Sequence, residues 1–366
     1  MNTNEKKLVL ELCKFQKINK PVLSSLIEDG QATPAVLGEL FFNRMAGVAY
    51  GVLKDAELLG KVNREFRNSL YNAYLQNIEK NKSFFKCLKY ISNILKKVES
   101  EYVMLKGAYL CYLYPLGYRT SNDIDLLVNP DSITKIEKLL FANGFKQGNI
   151  RNGSFIPADR QEIIMSRMSR GETVPFIKKV DLPFMKYLEI DINFSLGFSS
   201  DDGQAVKEII NSRVSTLIDD FYINIPSEKH FFIHLCSHLW KEASTYPWIK
   251  MNRDMSLYKY CDIYLLMQSL SIDNVDEIVS CANKYGVEKD CYCSLLQTKE
   301  FFDENNSIYD IFAEKFNVDN EDCIDIVISP SEKKLYKYTE RSAKNRLFND
   351  NRILLLTEVG PWNPKH

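Results

Sequence analysis

Two segments of the sequence carry pairs of carboxylates at the spacing of a β-strand. Asp123 and Asp125 are separated by one apolar residue, and so are Glu189 and Asp191. Successive side chains of a strand point to opposite faces, so each acidic pair lies on one face of its strand. If the two strands are neighbours in one sheet, we expect Asp123, Asp125 and Asp191 to form a three-carboxylate cluster.

Such a cluster has a specific chemical use. Carboxylates held this close in a partly apolar setting repel one another unless cations neutralise them. Their hard oxygen atoms favour Mg²⁺ or Mn²⁺. Two such ions, about 3.5 to 4 Å apart, can hold both the attacking and the leaving oxygen of an in-line displacement at phosphorus. The pattern therefore predicts a Mg²⁺ (or Mn²⁺) site, with two ions, that supports nucleotidyl transfer.

The acidic pattern also has a simpler interpretation. Alternating charged and apolar residues are typical of any strand with one solvated face, and a single Asp-x-Asp is a weak signal. A calcium loop of the EF-hand type is excluded, because the residues after Asp125 include neither the glycine nor the later oxygen ligands.

Residues typical of phosphate binding surround the first acidic pair. Lys106 and Gly107 lie at a predicted strand-to-helix turn, where glycine permits close backbone approach and lysine adds positive charge. Arg119 and Ser121 lie just before Asp123. The sequence lacks GxxxxGK[ST], so this is not a Walker loop. We interpret Lys106, Gly107, Arg119 and Ser121 as a nucleotide-binding set, although ordinary surface placement is the alternative.

The pattern of apolar residues divides the chain into four parts. Residues 1–98 have the three- and four-residue spacing of helices, whereas 99–203 contain short strand-like runs around a helix and read as a mixed sheet. Helical spacing returns in 204–310, and 311–366 form a tail of uncertain structure. We predict an α+β fold with a mixed-sheet core flanked by N- and C-terminal helical regions. The strand candidates in the core are 102–105, 123–128, 161–165, 174–180 and 187–194.

These motifs resemble those of the DNA polymerase β-like nucleotidyltransferase superfamily. The resembling residues are Val103 to Gly107 and Tyr118 to Val128. Within the superfamily, the chain is most similar to an uncharacterised bacterial nucleotidyltransferase family found partly in biosynthetic gene clusters. Toxin-type transferases of abortive infection look like more distant relatives.

The resemblance implies a magnesium-dependent transferase that moves an NMP from an NTP such as ATP to an acceptor and releases pyrophosphate. It implies that Asp123 and Asp125 are the paired metal ligands and that Asp191 is the third carboxylate and general base, with Glu189 in reserve. The acceptor could be a small molecule, a peptide or protein, or RNA. The alternative is a catalytically degenerate protein that binds nucleotide or peptide in an accessory or regulatory role.

The sequence departs from the superfamily pattern at two places. Ala108 follows Lys106-Gly107 where a small hydroxyl residue often contacts a phosphate. Asn193 and Phe194 stand where related third-acid motifs often have histidine and tryptophan. Contacts with the acceptor are therefore expected to differ, and we place Asn193 among the residues that line the acceptor.

A second set of polar residues lies in the C-terminal helical part. His230, His234 and His238 recur every four residues, although no HExxH motif is present. Their neighbours are aromatic and aliphatic, which favours packing or an acceptor-lining role over zinc binding. We place His238, Lys241 and Asp262 beside the acceptor on the basis of the resemblance.

Composition limits the setting of the protein. The formal net charge is -1, which is against a long polyanionic partner and disfavours RNA without removing it as an alternative. The N-terminal residues lack the apolar core of a signal peptide, and no apolar run is long enough to cross a membrane. The nine cysteines are scattered, so we expect reduced thiols in a cytoplasmic protein, and a zinc site at Cys291 and Cys293 is the alternative.

Overall fold

The structure is a computed structural model that describes residues 1–196, 203–302, 307–316, 318 and 324–362. Parts of the predicted core, C-terminal helical domain and tail lie outside the described residues, namely 197–202, 303–306, 317, 319–323 and 363–366. Contacts between residues divide the chain into two compact units. One unit is Ala73–Phe231, and the other combines Met1–Asn72 with Phe232–His366.

A six-stranded mixed sheet forms the centre of the Ala73–Phe231 unit. Its strands are β1 (Tyr102–Met104), β2 (Asp123–Val128), β3 (Lys146–Arg151), β4 (Ser154–Pro157), β5 (Phe176–Leu182) and β6 (Met185–Asn193). The order across the sheet is β1-β2-β6-β5-β3-β4. β2 and β6 are parallel, whereas the other neighbouring pairs are antiparallel. The predicted α+β class, with a mixed sheet and flanking helices, is confirmed.

One face of this sheet is apolar because its strands alternate. Ile124 in β2 and Ile190 in β6 belong to one buried cluster with Phe84, Leu88 and Ile91. The last three residues lie at three- and four-residue steps in the 32-residue helix α5 (Arg64–Leu95), so they form a single stripe on that helix. Burial of this stripe fixes α5 on the sheet and leaves the opposite sheet face to the carboxylates.

Smaller elements complete the Ala73–Phe231 unit. They are α6 (Gly107–Leu113), α7 (Ile133–Ala142), α8 (Arg160–Arg170), α9 (Gly203–Asn211) and a hairpin of β7 (Val214–Ile218) and β8 (Phe221–Ile225). Apolar residues of the hairpin, among them Ile218 and Ile223, join the same buried cluster as the sheet.

Two predictions of secondary structure in this unit were wrong. The strand predicted at 161–165 is part of helix α8, because Asp159 accepts a hydrogen bond from the Glu162 amide as an N-cap and Gly171 ends the helix in a left-handed conformation. The helical interpretation of the residues after 204 missed the β7–β8 hairpin. A turn at Asp219, whose φ is +49°, reverses the chain there.

The other unit is mostly helical. Its N-terminal helices are α1 (Thr3–Glu11), α2 (Lys20–Glu28), α3 (Pro34–Phe42) and α4 (Ala46–Asp55). Its later helices are α10 (Glu228–Ala243), which begins before the boundary, α11 (Tyr246–Lys250), α12 (Leu257–Met267), α13 (Ile272–Tyr285), α14 (Glu288–Phe302), α15 (Ser307–Phe316) and α16 (Ala343–Leu347). The helices predicted within residues 1–98 are observed.

Part of the predicted tail folds as a small antiparallel sheet. The strands are β9 (Ile326–Ser329), β10 (Lys334–Tyr338) and β11 (Leu356–Pro361), with β10 in the centre. A buried ion pair between Arg352 and Asp254 ties this region to its own unit, with a shortest N–O distance of 2.9 Å. Burial alternates along β9, where Val327 and Ser329 are buried and their neighbours are half-buried, as expected of a strand and not of a helix.

The boundaries of the compact units differ from the predicted domain limits at 98/99 and 203/204. The first boundary lies inside α5, because the second half of this helix supplies core residues to the sheet. The second lies inside α10, because the β7–β8 hairpin packs with the sheet as well. A helical pattern in the sequence does not show which of two neighbouring cores a helix serves.

The structure bears on the predictions about cysteine oxidation and membrane-spanning segments. Cys293 is disulfide-bonded, so the prediction of reduced thiols was wrong at this position, and its sulfur is not available as a zinc ligand. The other described cysteines, seven in number, are free thiols. Within the described ranges, no helix has the length and apolar character needed to cross a membrane.

Candidate active site

The parallel pairing of β2 and β6 brings the two acidic pairs together. Asp123 is the strand partner of Glu189, and Asp125 is the partner of Asp191. The apolar residues between them are fully buried on the other face. Four carboxylates therefore occupy neighbouring positions on one sheet face, as expected if the two strands are adjacent.

Lys106 supplies positive charge inside this cluster. Its Nζ donates to Asp125 Oδ1 at 2.9 Å, and the Asp125 residue is only 7% exposed. Lys106 has a φ of +43° and a ψ of −117°, which is a strained conformation for a residue with a side chain. The backbone amide of the preceding Leu105 donates to the Asp125 carbonyl at 2.9 Å, so the turn between β1 and α6 is fixed to β2.

Gly107 and Ser121 are in direct contact across this site. A Cβ atom on Gly107 would lie 2.3 Å from Ser121 Oγ, which leaves no room for a larger residue. Ser121 Oγ donates in turn to Asp123 Oδ1 at 2.7 Å. The missing side chain at Gly107 therefore lets Ser121 reach the first carboxylate of the cluster.

Burial and repulsion between like charges perturb the acids of β6. The pKa of Asp191 is raised well above its usual value by burial first, then by the charges of Asp125, Glu189 and Asp123, and Lys106 partly offsets this. The pKa of Glu189 is raised by burial, Asp123 and Asp125. The cluster therefore carries more negative charge than one lysine can balance.

Arg119 lies in the loop that leads to the cluster. Its Nη1 donates to the carbonyl of Thr120 at 2.5 Å, and its side chain is partly exposed. The same loop continues through Ser121 to β2. Arg119 is thus on the chain segment that carries Ser121 to Asp123.

The donor set fits a hard divalent cation by chemistry, since Asp123, Asp125, Asp191 and Glu189 offer only carboxylate oxygens. As the side chains stand, however, no group of three His, Cys, Asp or Glu residues in the described ranges has its donor atoms arranged around one ion position. The ammonium group of Lys106 already contacts Asp125. Ion binding would therefore require a change of side-chain conformation within the cluster.

Asn193 lies two residues beyond Asp191 on the same strand face. Its Nδ2 donates to the Leu126 carbonyl at 3.5 Å, and its strand partner is Leu127. The structure therefore gives the Asn193 amide a contact with the β2 backbone. It lies beside the carboxylate row, at the end of β6.

The remaining predicted acceptor residues belong to the other compact unit. His238 Nε2 is 3.8 Å from Glu242 Oε1, and its ring stacks on that of His234 with centroids 6.0 Å apart. Lys241 is exposed, whereas Asp262 is buried at 3% exposure. The structure does not join these residues to the carboxylate cluster within one unit.

His230 is held by two serine side chains within the Ala73–Phe231 unit. Its Nδ1 is 2.7 Å from Ser212 Oγ and 2.8 Å from Ser227 Oγ, next to the start of α10. The ring is buried at 5% exposure. These contacts connect the end of α9 to the beginning of α10, which supports packing over zinc binding for this histidine.

Sequence reasoning missed two residues that contact the Gly117–Arg119 segment. Asn77 and Asn81 of α5 contact the loop before Arg119 through their side-chain amides. Both lie on α5, where the apolar stripe is the dominant sequence pattern. The polar residues beside that stripe therefore look like ordinary surface residues of a helix. Their four-residue spacing, which places them on one helix face, was the available signal.

Comparison with known proteins identifies the family of the chain. A sequence profile described as an uncharacterised nucleotidyltransferase matches residues 29–303, which is more than half of the chain. The chain belongs to this nucleotidyltransferase family. No curated protein matches the sequence. Among solved structures, the chain is similar to an antigenic nucleotidyltransferase-like protein from Paracoccidioides brasiliensis, with 14% identity over 56% of this chain and 91% of that chain and a TM-score of 0.32.

Proposed function

We propose that this protein is a divalent-metal-dependent nucleotidyltransferase that transfers an NMP from an NTP to an acceptor and releases pyrophosphate. The observation that carries the proposal is the parallel register of β2 and β6, which sets Asp125 opposite Asp191 and Asp123 opposite Glu189. Membership of a nucleotidyltransferase family supports it at the level of the reaction class.

Asp123, Asp125 and Asp191 would hold Mg²⁺ or Mn²⁺, and two ions would suit the reaction. The metal supplies neutralising charge for the triphosphate and the developing charge at phosphorus. Lys106, which contacts Asp125 in this structure, would bind a phosphate oxygen of the nucleotide. Neutralisation of the crowded acids gives the cluster a physical reason to bind a cation.

The reaction is a displacement at the α-phosphorus of the NTP. An oxygen or nitrogen atom of the acceptor forms a bond to that phosphorus, and the bond from phosphorus to the bridging β-phosphate oxygen breaks. Pyrophosphate leaves with the electron pair. Asp191 accepts the acceptor's proton, and Glu189 is the second candidate because it lies on the same strand face.

Lys106 and Arg119 would bind phosphate oxygens as cations, and Gly107 and Ser121 would shape the surface next to them. Catalysis would then come from positioning and charge neutralisation of bound nucleotide. ATP is one candidate donor. The acceptor class, whether small molecule, peptide, protein or RNA, and a place in a biosynthetic cluster or in the cytoplasm are further parts of this proposal.

One observation favours the second candidate function, a catalytically degenerate nucleotide- or peptide-binding protein. The Lys106 ammonium contacts Asp125 at 2.9 Å, so a resident side chain can replace part of the charge of a metal ion. A protein that had lost its metal could retain a stable cluster in this way. The two functions differ in whether pyrophosphate is ever released.

The test is transfer of label from nucleotide. The purified full chain is incubated with Mg²⁺, each α-labelled NTP in turn and a lysate of the source cell, and both acid-stable label and pyrophosphate are measured. We expect transfer by the wild type, and a loss of at least about a hundredfold in Asp125→Asn, since a metal ligand is removed. Asp131→Asn is the matched control, because Asp131 is exposed and outside the cluster.

Equal labelling by wild type and Asp125→Asn would remove the catalytic assignment. Binding of NTP by the wild type without pyrophosphate release, in every lysate fraction, would support the degenerate alternative. Label on RNA or on polypeptide, as opposed to a small molecule, would identify the acceptor class.

A further inference from the structure

A loop before the phosphate-binding segment is held by two asparagines of one helix. The Asn81 Nδ2 donates to the Arg119 carbonyl at 2.8 Å, and its Oδ1 accepts from the Gly117 amide at 3.1 Å. The Asn77 Nδ2 donates to the Gly117 carbonyl at 3.0 Å. Three backbone groups of a three-residue stretch are therefore bonded by side chains from α5.

The clamp is buried and has little freedom. Asn81 is 1% exposed, so its amide has both a donor and an acceptor bond in a place where unmade bonds would be costly. Gly117 has a φ of +89°, and a Cβ atom there would lie 2.7 Å from the Tyr74 ring. Tyr74 in turn packs edge-on against Tyr118, with ring centroids 6.4 Å apart. Sterics and hydrogen bonds fix the loop from the same helix.

The loop leads directly to groups that the proposed function uses. Arg119 is the last of the clamped residues, and two residues later Ser121 donates to Asp123. A displacement of the Arg119 carbonyl would change where its guanidinium points, because both belong to one residue. The rest of the segment is fixed at its far end by the pairing of Asp123 in β2.

We infer that Asn77 and Asn81 are positioning residues that set the Arg119 side chain for the triphosphate of the nucleotide. The inference rests on the proposed function. It adds residues of α5 that support the groups proposed to contact the nucleotide. Neither asparagine is expected to contact substrate. Both act through the Gly117–Arg119 loop.

The test measures binding of a base-independent probe, inorganic tripolyphosphate with Mg²⁺, to the full chain by titration calorimetry. We expect Arg119→Ala to weaken binding about tenfold, which corresponds to one lost charge-assisted hydrogen bond. Asn81→Ala should cause a loss of similar size. The double variant should bind like Arg119→Ala alone, because the two residues act in series.

The matched control is Asn93→Ala, the same change at an exposed position of the same helix. It should bind within about twofold of wild type, since it removes no bond of the loop. Thermal unfolding of each variant confirms that it is folded. If Asn81→Ala does not fold, Asn77→Ala decides, because it removes only the bond to the Gly117 carbonyl and should still weaken binding severalfold.

The outcomes separate the inference from the function. Wild-type binding that is lost in Arg119→Ala but unchanged in the folded asparagine variants would overturn the clamp and leave the proposed function intact. Additive losses in the double variant would show that Asn81 does not act through Arg119, and would also overturn it. A wild type that binds neither tripolyphosphate nor any NTP would overturn both.

Discussion

Removal of one carboxylate from the cluster should stabilise the metal-free protein. The change is Asp191→Asn, which keeps the shape of the side chain and deletes its charge. Asp191 lies opposite Asp125, and its pKa is raised by burial first and then by the charges of Asp125, Glu189 and Asp123. An ionised Asp191 therefore opposes folding, and its amide replacement does not.

The size of the effect follows from the strand geometry. Partner residues of neighbouring strands lie about 5 Å apart, and two like charges at that distance repel by about 3 kcal/mol at an effective dielectric constant of about 20. Lys106 offsets roughly one such interaction. We therefore expect Asp191→Asn to raise the free energy of unfolding by about 1 to 3 kcal/mol without divalent ions, at the cost of activity.

The assay is thermal and urea denaturation at pH 8 in a chelator, with and without Mg²⁺ or Mn²⁺. The wild type should gain stability when the ion is added, and Asp191→Asn should gain less because a ligand is missing. Asp131→Asn is the control; Asp131 Oδ2 is 3.9 Å from Lys207 at the surface, a pair worth little. An Asp191→Asn protein that is less stable than wild type in the chelator would refute the reasoning.

Three further changes test other parts of the structure. Gly107→Ala should disturb the site, because the new methyl group would collide with Ser121 Oγ at 2.3 Å. The nucleotide affinity measured by calorimetry should fall about tenfold or more. An unchanged affinity would contradict the contact. Burial raises the pKa of Asp290 from 3.8 to about 6, so its contribution to stability is full below about pH 4 and is lost as the pH rises through 6. By urea denaturation, Asp290→Asn should therefore have a free energy of unfolding about 2 to 3 kcal/mol above that of the wild type at pH 8, and no higher at pH 4. The same difference in free energy of unfolding at both pH values would contradict this. Asp254→Asn should cost about 3 to 5 kcal/mol, because it leaves buried Arg352 without its ion pair; a loss under 1 kcal/mol would show that the pair is compensated.

The carboxylate row was predictable because its signal is local. Strand alternation places Asp123 with Asp125 and Glu189 with Asp191, whatever the fold. The adjacency of β2 and β6 was a condition that the sequence could not decide, because residues 129–184, which include β3, β4 and β5, lie between the two strands. Their parallel register is what places Asp125 opposite Asp191.

The errors arose where tertiary contacts or local caps outweigh periodicity. Helix α8 begins after Asp159, which caps it. The residues that follow have a pattern that also suits a strand, so the cap was not recognised in the sequence. The β7–β8 hairpin is only ten strand residues between helices, and its turn has two aspartates without a glycine. The asparagine clamp depends on contacts between α5 and a loop some forty residues away, which no local pattern shows.

The central claim is that the carboxylates of β2 and β6 bind a divalent ion beside a triphosphate. Crystals of the full chain soaked with Mn²⁺ and a non-hydrolysable NTP analogue would test it through anomalous diffraction at the manganese edge. The account predicts a peak within about 2.5 Å of carboxylate oxygens of Asp123, Asp125 and Asp191, with Lys106 moved from Asp125 to a phosphate. A map without a peak there, with Lys106 still on Asp125 and nucleotide bound, would contradict it.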